Sequence, residues 1–400
     1  MYKLITTTIL ILILPMLILP ISYSTNNNFI WTEDTSSAST TPTTNLNLES
    51  ASAILIEQNS GKILYEHNSH EQLRPASVTK VMSILLIMEA LDSNKISLTD
   101  KVPCSENAAN MGGSQIWLDV REELTVDEML KAICVASAND CTVAMAEYLY
   151  GSEEAFVEKM NERAKQLGMN DTCFKNCHGL DTNGHITSSY DISLMSRELL
   201  KNHPSITNYT TIWMDTLRDG KSELTNTNKL IRNYKGATGL KTGSTGLALY
   251  NLSASATRDN LSLIAVIMKA PSTQTRFAEA QKLLDYGFSN YSYTSFAKKD
   301  STLTSITVTK GVENSVDAVF FEDSGALLTK GQDKNIEQVI SLPEAIEAPI
   351  EVGQKLGEIK YILDGETISI TPLVSNKTVK KISLSNMVEF VFFSWFRLLR

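Results

Sequence analysis

Three short segments of this sequence have the residue types and the spacing that nucleophilic catalysis needs. The first is Pro75-Ala-Ser-Val-Thr-Lys80. Proline suits the first turn of a helix, so the segment predicts a helix start with Ser77 and Lys80 on one face. A serine hydroxyl is a good nucleophile only when a base removes its proton, and a buried amine near other cations has the lowered pKa that this requires. The free N–H groups of such a turn also suit an oxyanion. Ser77 is the candidate nucleophile and Lys80 its base, although this tetrad also occurs on ordinary surface helices.

The second segment is Ser137-Ala-Asn139, which follows a predicted helix and is therefore expected on a loop between helices. Thr125-Val-Asp-Glu128 has the pattern of a capping box and predicts the start of that helix, which continues to about Val135. The Ser137 hydroxyl is suited to relay a proton between the nucleophile and a leaving amine, and the Asn139 amide is suited to orient a lysine or a substrate amide. Taken alone, the tripeptide is equally typical of a polar loop.

The third segment, Gly239-Leu-Lys-Thr-Gly-Ser-Thr-Gly246, leads into a predicted strand. Lys241 supplies positive potential, which favours a substrate carboxylate and lowers the pKa of an amine such as that of Lys80. Thr242 has a hydroxyl that can donate to the same carboxylate. Gly243 lacks a side chain, so a substrate backbone is expected to lie along the strand edge there. A glycine-rich turn before a strand is the alternative interpretation.

In this order, the three segments resemble the motif set of penicillin-binding proteins and β-lactamases. Longer stretches, at 137–147, 178–181 and 251–257, resemble the low-molecular-mass D-Ala-D-Ala carboxypeptidases of peptidase family S11, the family of penicillin-binding protein 5 and its Gram-positive sporulation relatives. The resemblance is close over residues 51–290 and looser towards the C-terminus. It implies a serine enzyme of cell-wall biogenesis that removes the terminal D-alanine from peptidoglycan pentapeptide stems and that β-lactam antibiotics inhibit covalently.

The resemblance also implies a role for each matched residue around the nucleophile. Ser77 would be acylated, Lys80 would be the general base, and Ser137 and Asn139 would form the second wall of the site. Ala138 stands where relatives often have glycine. This departure is expected to be tolerated because the middle side chain of the tripeptide is expected to point away from the substrate.

On the other side of the implied site are the residues that would bind the terminal carboxylate of the substrate. Lys241 and Thr242 would hold this carboxylate, and Arg276 matches an arginine near it. The oxyanion hole would consist of the backbone N–H groups of Ser77 and Ser244. The resemblance implies no cofactor and no metal.

The elements that must position these residues begin and end with strands. β-rich runs near 52–65 and an apolar hairpin at 250–268 enclose several predicted helices, among them 77–91 and a helix capped by Ser152, and a closing helix follows at 274–287. This order predicts a sheet assembled from distant segments and covered by helices. Together with the resemblance, it gives an α/β (α+β) fold class: a serine β-lactamase/DD-peptidase-like domain over 51–290 with a central antiparallel sheet.

The character of the sequence changes near Tyr291. Short strand-like runs separated by Gly and Asp turns predict a small β-rich domain over 291–383, with a last strand at Val379–Ser383. Residues 384–400 predict an amphipathic helix that lies in the membrane interface and anchors the protein to the membrane surface. A helix that packs onto the β-rich domain itself is the alternative.

The N-terminus predicts export. Lys3 precedes an uncharged, mostly apolar stretch, and Ser22-Tyr-Ser24 is a small-x-small cleavage site, so residues 1–24 have the pattern of a signal peptide. An uncleaved membrane anchor is the alternative. Residues 25–50 are rich in Asn, Ser and Thr and predict a flexible tether. Both interpretations place the rest of the chain at the outer face of the cytoplasmic membrane or in the cell-wall space.

Composition and missing signatures argue against several other classes. The net charge is −9 and no basic cluster occurs, which disfavours nucleic acid as a partner. Cys173-x3-Cys177-His178 has no second ligand pair with the spacing of a zinc site. The chain contains no Gly-x-Ser-x-Gly, the signature of many Ser-His-Asp hydrolases.

Three alternatives share the serine motifs. A class A β-lactamase needs a loop glutamate for deacylation, but residues 172–191 contain no Glu. A catalytically inactive wall-binding module is disfavoured because all the motif residues are present. A DD-endopeptidase or transpeptidase has the same three motifs, and the sequence leaves that alternative open.

Overall fold

The computed structural model describes residues 46–332 and 335–383. The predicted signal peptide, most of the predicted tether and the predicted anchor helix at 384–400 lie outside the described residues. Within the described ranges, no helix has both the length and the apolar character needed to cross a bilayer.

Up to residue 290, the described chain contains both helices and strands. The strands are β1 (Ser52–Glu57), β2 (Ile63–His67), β3 (Lys101–Pro103), β4 (Glu123–Thr125), β5 (Met214–Leu217), β6 (Ser222–Thr225), β7 (Ala237–Thr245), β8 (Leu249–Arg258) and β9 (Leu261–Ala270). The α-helices are α1 (Lys80–Asp92), α2 (Glu106–Ala109), α3 (Val126–Lys131), α4 (Asn139–Tyr150), α5 (Glu153–Gln166), α6 (Ser189–Asn202), α7 (Thr207–Thr210), α8 (Leu230–Asn233) and α9 (Thr273–Asn290). Two 3-10 turns, which are tighter than an α-helix, lie at Ala76–Thr79 and Pro204–Ile206. One π turn, which is wider than an α-helix, lies at Ala132–Ala136.

The centre of this part is a five-stranded antiparallel sheet in the order β2-β1-β9-β8-β7. The β8–β9 hairpin closes through Asp259 and Asn260, both with positive φ. Two consecutive positive-φ residues form the turn whose twist matches that of the strands on either side. β1 and β9, the first and last strands before residue 290, pair with each other in the middle of the sheet, as the sequence pattern predicted.

Helices cover both faces of the sheet because alternate side chains of its strands point in opposite directions. Ile54 and Ile56 of β1 belong to the core beneath α1 and α4–α6, whereas Ala53 and Leu55 belong to the core beneath α9. Both faces of β1 are fully buried. The sheet is thus the middle of three layers, and β7, at its edge, pairs with β8 alone among the described strands.

Helix starts follow the predicted caps. The Thr125 side chain and Glu128 form a reciprocal capping box at the start of α3, and the Ser152 side chain caps α5 by accepting the N–H of Ala155. Gly168, with φ +76°, follows the end of α5. Such caps satisfy backbone groups that a helix end leaves unpaired.

From residue 291 onward the described chain is almost entirely strand. Its strands are β10 (Tyr291–Ala297), β11 (Thr302–Thr309), β12 (Ser315–Phe320), β13 (Ser324–Thr329), β14 (Ile336–Ser341), β15 (Ala345–Glu347), β16 (Lys355–Leu363) and β17 (Glu366–Ser375). Six of them form one sheet in the order β14-β16-β17-β12-β11-β15, and β10 pairs with β13. The predicted β-rich domain is confirmed. The predicted last strand at 379–383 is present only as single bridges at Val379 and Lys381.

The end of the predicted tether contacts the catalytic part. Ser50 is buried, and its backbone N–H donates to Glu279 of α9 at 3.3 Å. Lys282, one turn later, donates to the carbonyl of Leu46. The segment 46–50 is therefore fixed against α9 before β1 begins.

Candidate active site

The candidate nucleophile lies in a tight turn that other parts of the chain hold in place. Ser77 belongs to the 3-10 turn Ala76–Thr79, which leads directly into α1. Ala76 has φ +49°, a region that L-residues seldom occupy. Gly179, with φ +94°, lies against this turn, and a Cβ there would be 1.9 Å from the Ala76 carbonyl oxygen. The backbone contact therefore requires glycine at position 179.

A buried histidine supports the same turn. The Thr79 hydroxyl donates to the Ala76 carbonyl at 2.8 Å and lies 2.7 Å from Nε2 of His185. The Lys175 N–H donates to Nδ1 of His185 at 2.9 Å, so the ring proton is on Nε2 and is donated to Thr79. Burial, reinforced by Arg74, lowers the pKa of His185 to about 4, so the ring is neutral near pH 7.

Lys80 has three polar neighbours, and their chemistry fixes the direction of its lone pair. Its Nζ lies 2.6 Å from Oδ1 of Asn139, 2.6 Å from the carbonyl oxygen of His178 and 3.1 Å from Oγ of Ser77. An amide oxygen and a peptide carbonyl only accept hydrogen bonds. In a neutral amine they take both N–H hydrogens, which leaves the lone pair directed at the Ser77 hydroxyl.

The electrostatic surroundings favour that neutral amine. Lys80 is fully buried, and burial is the main reason why its pKa lies well below the usual value for lysine. The positive charge of Lys241 lowers this pKa further. Burial disfavours the charged form of an amine, and a nearby like charge acts in the same direction. Lys80 is thus equipped to accept a proton from Ser77.

Ser137 follows the π turn at 132–136 and adopts a left-handed conformation, with φ 64° and ψ 32°. Its side chain is buried, and its Oγ has no hydrogen-bond partner among the described residues. Buried hydroxyls are nearly always paired, so an unpaired one two residues before Asn139, which contacts Lys80, indicates a group available to a ligand. Single π turns inside helices are also frequent at functional sites.

Asn139 connects the Ser137 segment to Lys80 and to a loop that the sequence did not single out. Besides accepting from Lys80, its Nδ2 donates to the Gly112 carbonyl at 2.6 Å, and its backbone N–H donates to the Ser114 carbonyl at 2.7 Å. A Cβ at Gly113 would be 2.8 Å from Nδ2 of Asn139. The loop at 112–114 therefore forms part of this wall.

The residues that follow this loop, 116–118, are held from two sides. Asp140, next to Asn139, is buried, and its Oδ2 accepts the N–H groups of Ile116 and Leu118 at 3.1 Å each. Arg218 donates to the carbonyls of Ile116 and Trp117 at 3.0 and 3.1 Å. These contacts join segments more than 20 residues apart, so no short sequence pattern could have revealed them.

On the opposite side of the turn, β7 places Lys241 and Thr242 inside the protein. Lys241 is buried, its Nζ donates to the Thr242 carbonyl at 3.0 Å, and burial followed by the charge of Arg276 lowers its pKa to about 7. The Thr242 hydroxyl donates to Oγ1 of Thr227 at 2.7 Å. A lysine with this pKa can carry its charge when an anion is bound and lose it readily when none is present.

The structure gives a further reason for the glycine at position 243. A Cβ there would be 2.8 Å from the Pro75 carbonyl oxygen and 3.0 Å from the backbone nitrogen of Ser77. Gly243 therefore lets β7 approach the nucleophile turn, and the expectation that a substrate backbone lies along this strand edge stays a prediction. Ser244 follows it, is exposed, and pairs with Tyr250 of β8.

Arg276 lies in the first turn of α9, beside β7. The side chain is buried, and Nη1 donates to the carbonyls of Gly243 and Asn251 at 3.1 and 3.2 Å. Its Nε has no partner among the described residues, and burial lowers its pKa to about 10. Within the described ranges, neither Arg276 nor Lys241 has a carboxylate within ion-pair distance. Two buried cations without a counter-ion indicate a binding site for an anion.

The predicted residues thus divide into two connected groups. Ser77, Lys80 and Asn139 are joined by direct hydrogen bonds, and Gly243 packs against the nucleophile turn and joins it to the Lys241 strand. The segment around His178 was noted in the sequence, but its carbonyl was not identified there as a partner of Lys80. Every residue has a backbone carbonyl, so the residue type does not indicate which one will accept a hydrogen bond. The five cysteines are free thiols, and in the part of the chain that the structure describes no cluster of His, Cys, Asp or Glu is arranged to hold a metal ion.

Comparison with known proteins gives two family matches. Residues 37–272 match the model described as D-alanyl-D-alanine carboxypeptidase, and residues 291–381 match the C-terminal domain of penicillin-binding protein 5. The chain is 45% identical over 357 residues to the D-alanyl-D-alanine carboxypeptidase DacF of Bacillus subtilis, which covers 88% of this chain and 92% of the relative.

Solved structures agree with these matches. Penicillin-binding protein 5 from Haemophilus influenzae superimposes with a TM-score of 0.70 at 31% identity, covering 84% of this chain and 98% of that one. Penicillin-binding protein D2 from Listeria monocytogenes, in its ampicillin-bound form, gives a TM-score of 0.56 at 30% identity over 61% of this chain and 99% of that one.

Proposed function

The chain belongs to the D-alanyl-D-alanine carboxypeptidase family, and we propose that it performs this family's reaction on peptidoglycan stem peptides through an ester on Ser77. The observation that carries the assignment is the arrangement around Lys80, whose two acceptors direct its lone pair at the Ser77 hydroxyl. A lysine held in this way removes a proton from serine without a histidine or a metal.

The acylation step follows from that arrangement. Ser77 Oγ attacks the carbonyl carbon of the penultimate D-alanine while its proton passes to Nζ of Lys80. The backbone N–H groups of Ser77 and Ser244 stabilise the oxyanion. As the peptide bond breaks, the leaving amine of the terminal D-alanine receives a proton through the unpaired hydroxyl of Ser137, and the shortened peptide remains as an ester on Ser77.

Deacylation reverses the proton path. A water molecule takes the place of the departed D-alanine, gives its proton to Lys80 and attacks the ester carbonyl. The tetrahedral species then collapses, Ser77 recovers its proton, and the shortened stem peptide leaves with a new carboxylate. Atoms balance, because one water is consumed for each D-alanine released.

Substrate recognition in this proposal depends on the two buried cations. Lys241 binds the terminal carboxylate of the substrate, the Thr242 hydroxyl rotates away from Thr227 to donate to it, and Arg276 adds positive potential from behind Gly243. A charged acceptor held by such donors gives a strong hydrogen bond. The free edge of β7 is available to pair with the peptide backbone.

In this proposal the enzyme is exported and acts at the outer face of the cytoplasmic membrane. Members of this family act on the cell wall, and the N-terminal pattern of residues 1–24 supports export. The segment 384–400 would lie in the membrane interface on the outer face of the cytoplasmic membrane, with its apolar side towards the lipid. The β-rich domain would then act as a spacer between the membrane and the active site.

The test of the nucleophile is covalent labelling. Benzylpenicillin is expected to form a stable ester that peptide mass spectrometry maps to Ser77, and Ser77→Ala is expected to abolish the label while the far-UV circular dichroism spectrum stays unchanged. Release of D-alanine from a pentapeptide stem should be lost in the same variant. An ester found on another serine would refute the assignment.

A further inference from the structure

The carbonyl that accepts from Lys80 belongs to a segment held by a residue distant in sequence. Glu153 lies in the first turn of α5, directly after the cap residue Ser152. Its Oε1 accepts the backbone N–H of Cys177 at 3.0 Å and lies 3.4 Å from Nε2 of His178. One oxygen of the Glu153 carboxylate therefore contacts both Cys177 and His178, and the His178 carbonyl is the one that accepts from Lys80.

The ring of His178 presents a proton to that carboxylate. The Leu180 N–H lies 3.2 Å from Nδ1 and donates to it, so the neutral ring has its proton on Nε2, which faces Glu153. Burial, with smaller contributions from Lys80 and His185, lowers the pKa of His178 to about 3. The ring is therefore neutral near pH 7, and its polar N–H is buried beside Glu153.

Other contacts fix the same segment but from different directions. The Ser83 hydroxyl, one turn after Lys80 on α1, donates to the Cys177 carbonyl at 2.6 Å. The Gly179 N–H donates to Oδ1 of Asn176 at 2.6 Å. The carboxylate of Glu153 adds a charged acceptor from α5, so the position of the His178 carbonyl depends on α1 and α5 together.

We propose that Glu153 is a positioning residue of the active site: it holds Cys177 and His178 so that the His178 carbonyl directs the Lys80 lone pair at Ser77. This inference rests on the proposed roles of Ser77 and Lys80. Without Glu153 the Cys177 N–H loses its acceptor and the His178 ring loses the carboxylate beside it, the segment relaxes, and Lys80 loses a fixed partner. The nucleophile is then activated less often, while the substrate-binding cations on β7 are unaffected.

The test compares acylation by benzylpenicillin in matched variants of the full chain. Glu153→Ala is expected to lower the rate constant for acylation at saturating penicillin by about tenfold or more, the scale of leaving one buried N–H without its acceptor. The dissociation constant of the preceding noncovalent complex should stay within about twofold, a change well below that scale. Glu153→Gln should recover most of the rate, because its amide oxygen can accept the Cys177 N–H in the same way. Glu154→Ala, a neighbour on the same helical turn, is the control and should behave like the wild type.

A second variant covers the case in which the alanine variant does not fold. Glu153→Asp keeps the charge but withdraws the acceptor by one methylene, and is expected to slow acylation severalfold. If the wild type is labelled at Ser77 and all Glu153 variants acylate at the rate of Glu154→Ala, the inference is refuted and the proposed function stands. If the wild type itself is not acylated at Ser77, the proposed function fails, and the inference fails with it.

Discussion

At the scale of single residues, the site depends on polar groups that are buried without an opposite charge. Lys80, Lys241 and Arg276 are all removed from water, and within the described ranges none has a carboxylate within ion-pair distance. Burying a charge in this way is costly, so the cost lowers the pKa of each group. The cations are consequently ready to respond to an anion that enters the site.

The first prediction concerns that anion. Converting the terminal carboxylate of a D-Ala-D-Ala peptide to a primary amide should lower kcat/KM by roughly 10²-fold, because the charge-assisted contacts with Lys241 and Thr242 are lost. The measurement is the rate of release of D-alanine or of D-alaninamide at low substrate concentration. Equal rates for acid and amide would contradict a carboxypeptidase site and favour an endopeptidase.

The second prediction concerns pH. Catalysis needs neutral Lys80, whose pKa is far below the usual lysine value, and charged Lys241, whose pKa is about 7. Because kcat/KM reports the ionisation of the free enzyme, it should fall as the pH rises above about 7 and Lys241 loses its proton. The measurement is the profile of kcat/KM between about pH 5 and about pH 9, which spans that pKa on both sides.

The amidated peptide supplies the control for this profile. It has no carboxylate for Lys241 to bind, so its kcat/KM should lack the decline above about pH 7. If both peptides show the same decline, the ionisation belongs to another group and Lys241 does not bind the carboxylate.

At the scale of elements, the nucleophile turn and β7 have to approach each other closely, and glycine makes this possible. In Gly243→Ala the new Cβ would meet the Pro75 carbonyl oxygen at 2.8 Å and the Ser77 nitrogen at 3.0 Å, both of which are backbone atoms. The turn must shift, and shifts approaching about 1 Å at a reacting group cost up to about 10²-fold in rate. The third prediction is a loss of about tenfold to about 10²-fold in penicillin acylation, measured by the kinetics of labelling.

Gly246 offers a matched control for this substitution. It lies just beyond the end of β7, and a Cβ there would have no neighbour within 4 Å. Gly246→Ala should therefore acylate at a rate close to that of the wild type. Similar losses in both variants would mean that the effect does not arise from contact with the nucleophile turn.

The elements that were predictable from the sequence are those with local causes. The capping box at Thr125, the cap at Ser152 and the hairpin through Asp259 and Asn260 each depend on residues within a few positions of one another. The left-handed conformation of Ser137 was not predicted; it ends the π turn at 132–136, and neither feature has a sequence signature as clear as a capping box. The same is true of the loop at 112–114 and of the His178 carbonyl, which meet Asn139 and Lys80 only after folding.

In the site, too, residues recognisable from a short sequence pattern were predicted, and residues that meet only after folding were not. The side chains of Ser77, Lys80 and Asn139 were identified by type and order, and the structure places Ser77 and Asn139 within hydrogen-bonding distance of Lys80 Nζ; their roles stay predictions. Residues that act through the backbone or from another layer, such as Glu153, were missed. A carboxylate in the first turn of a helix is common, so its type and position indicate only favourable helix electrostatics.

At the scale of the whole molecule, the two parts of the chain meet where α9 passes directly into β10. The ring of Tyr291 in β10 meets the ring of Tyr286 in α9 edge-on, with centroids 6.3 Å apart. The Lys330 side chain donates to the Phe288 carbonyl at 2.6 Å, and its backbone N–H donates to the Asn290 carbonyl at 2.9 Å. The β-rich domain is thus attached to the catalytic part by packing as well as by the chain, as a spacer would require.

The charge of the chain makes the proposed attachment to a membrane depend on one segment. A chain with a net charge of −9 is repelled by anionic lipid, so association needs a local apolar and basic surface. Residues 384–400 supply both, with Arg397 and Arg400 near the end and many aromatic and aliphatic side chains before them. As a helix, the segment would be too short to span the roughly 30 Å hydrocarbon core, and Glu389 would be costly inside it.

The fourth prediction follows from this reasoning. A chain that begins after the predicted signal peptide and ends at Ser383 should remain in the soluble fraction, whereas the same chain continued to Arg400 should sediment with vesicles that contain anionic lipid. The truncated form should keep its penicillin labelling, since every residue of the proposed site lies before position 277. In the longer chain, Trp395→Ser should weaken vesicle binding, and Asn386→Ser, on the polar side, should not.

If the tail instead packs onto the β-rich domain, truncation will lower the melting temperature of the protein and the longer chain will not bind vesicles. If the truncated form binds membranes as strongly as the longer one, the tail is not the anchor, and a chain that retains residues 1–24 becomes the one to test.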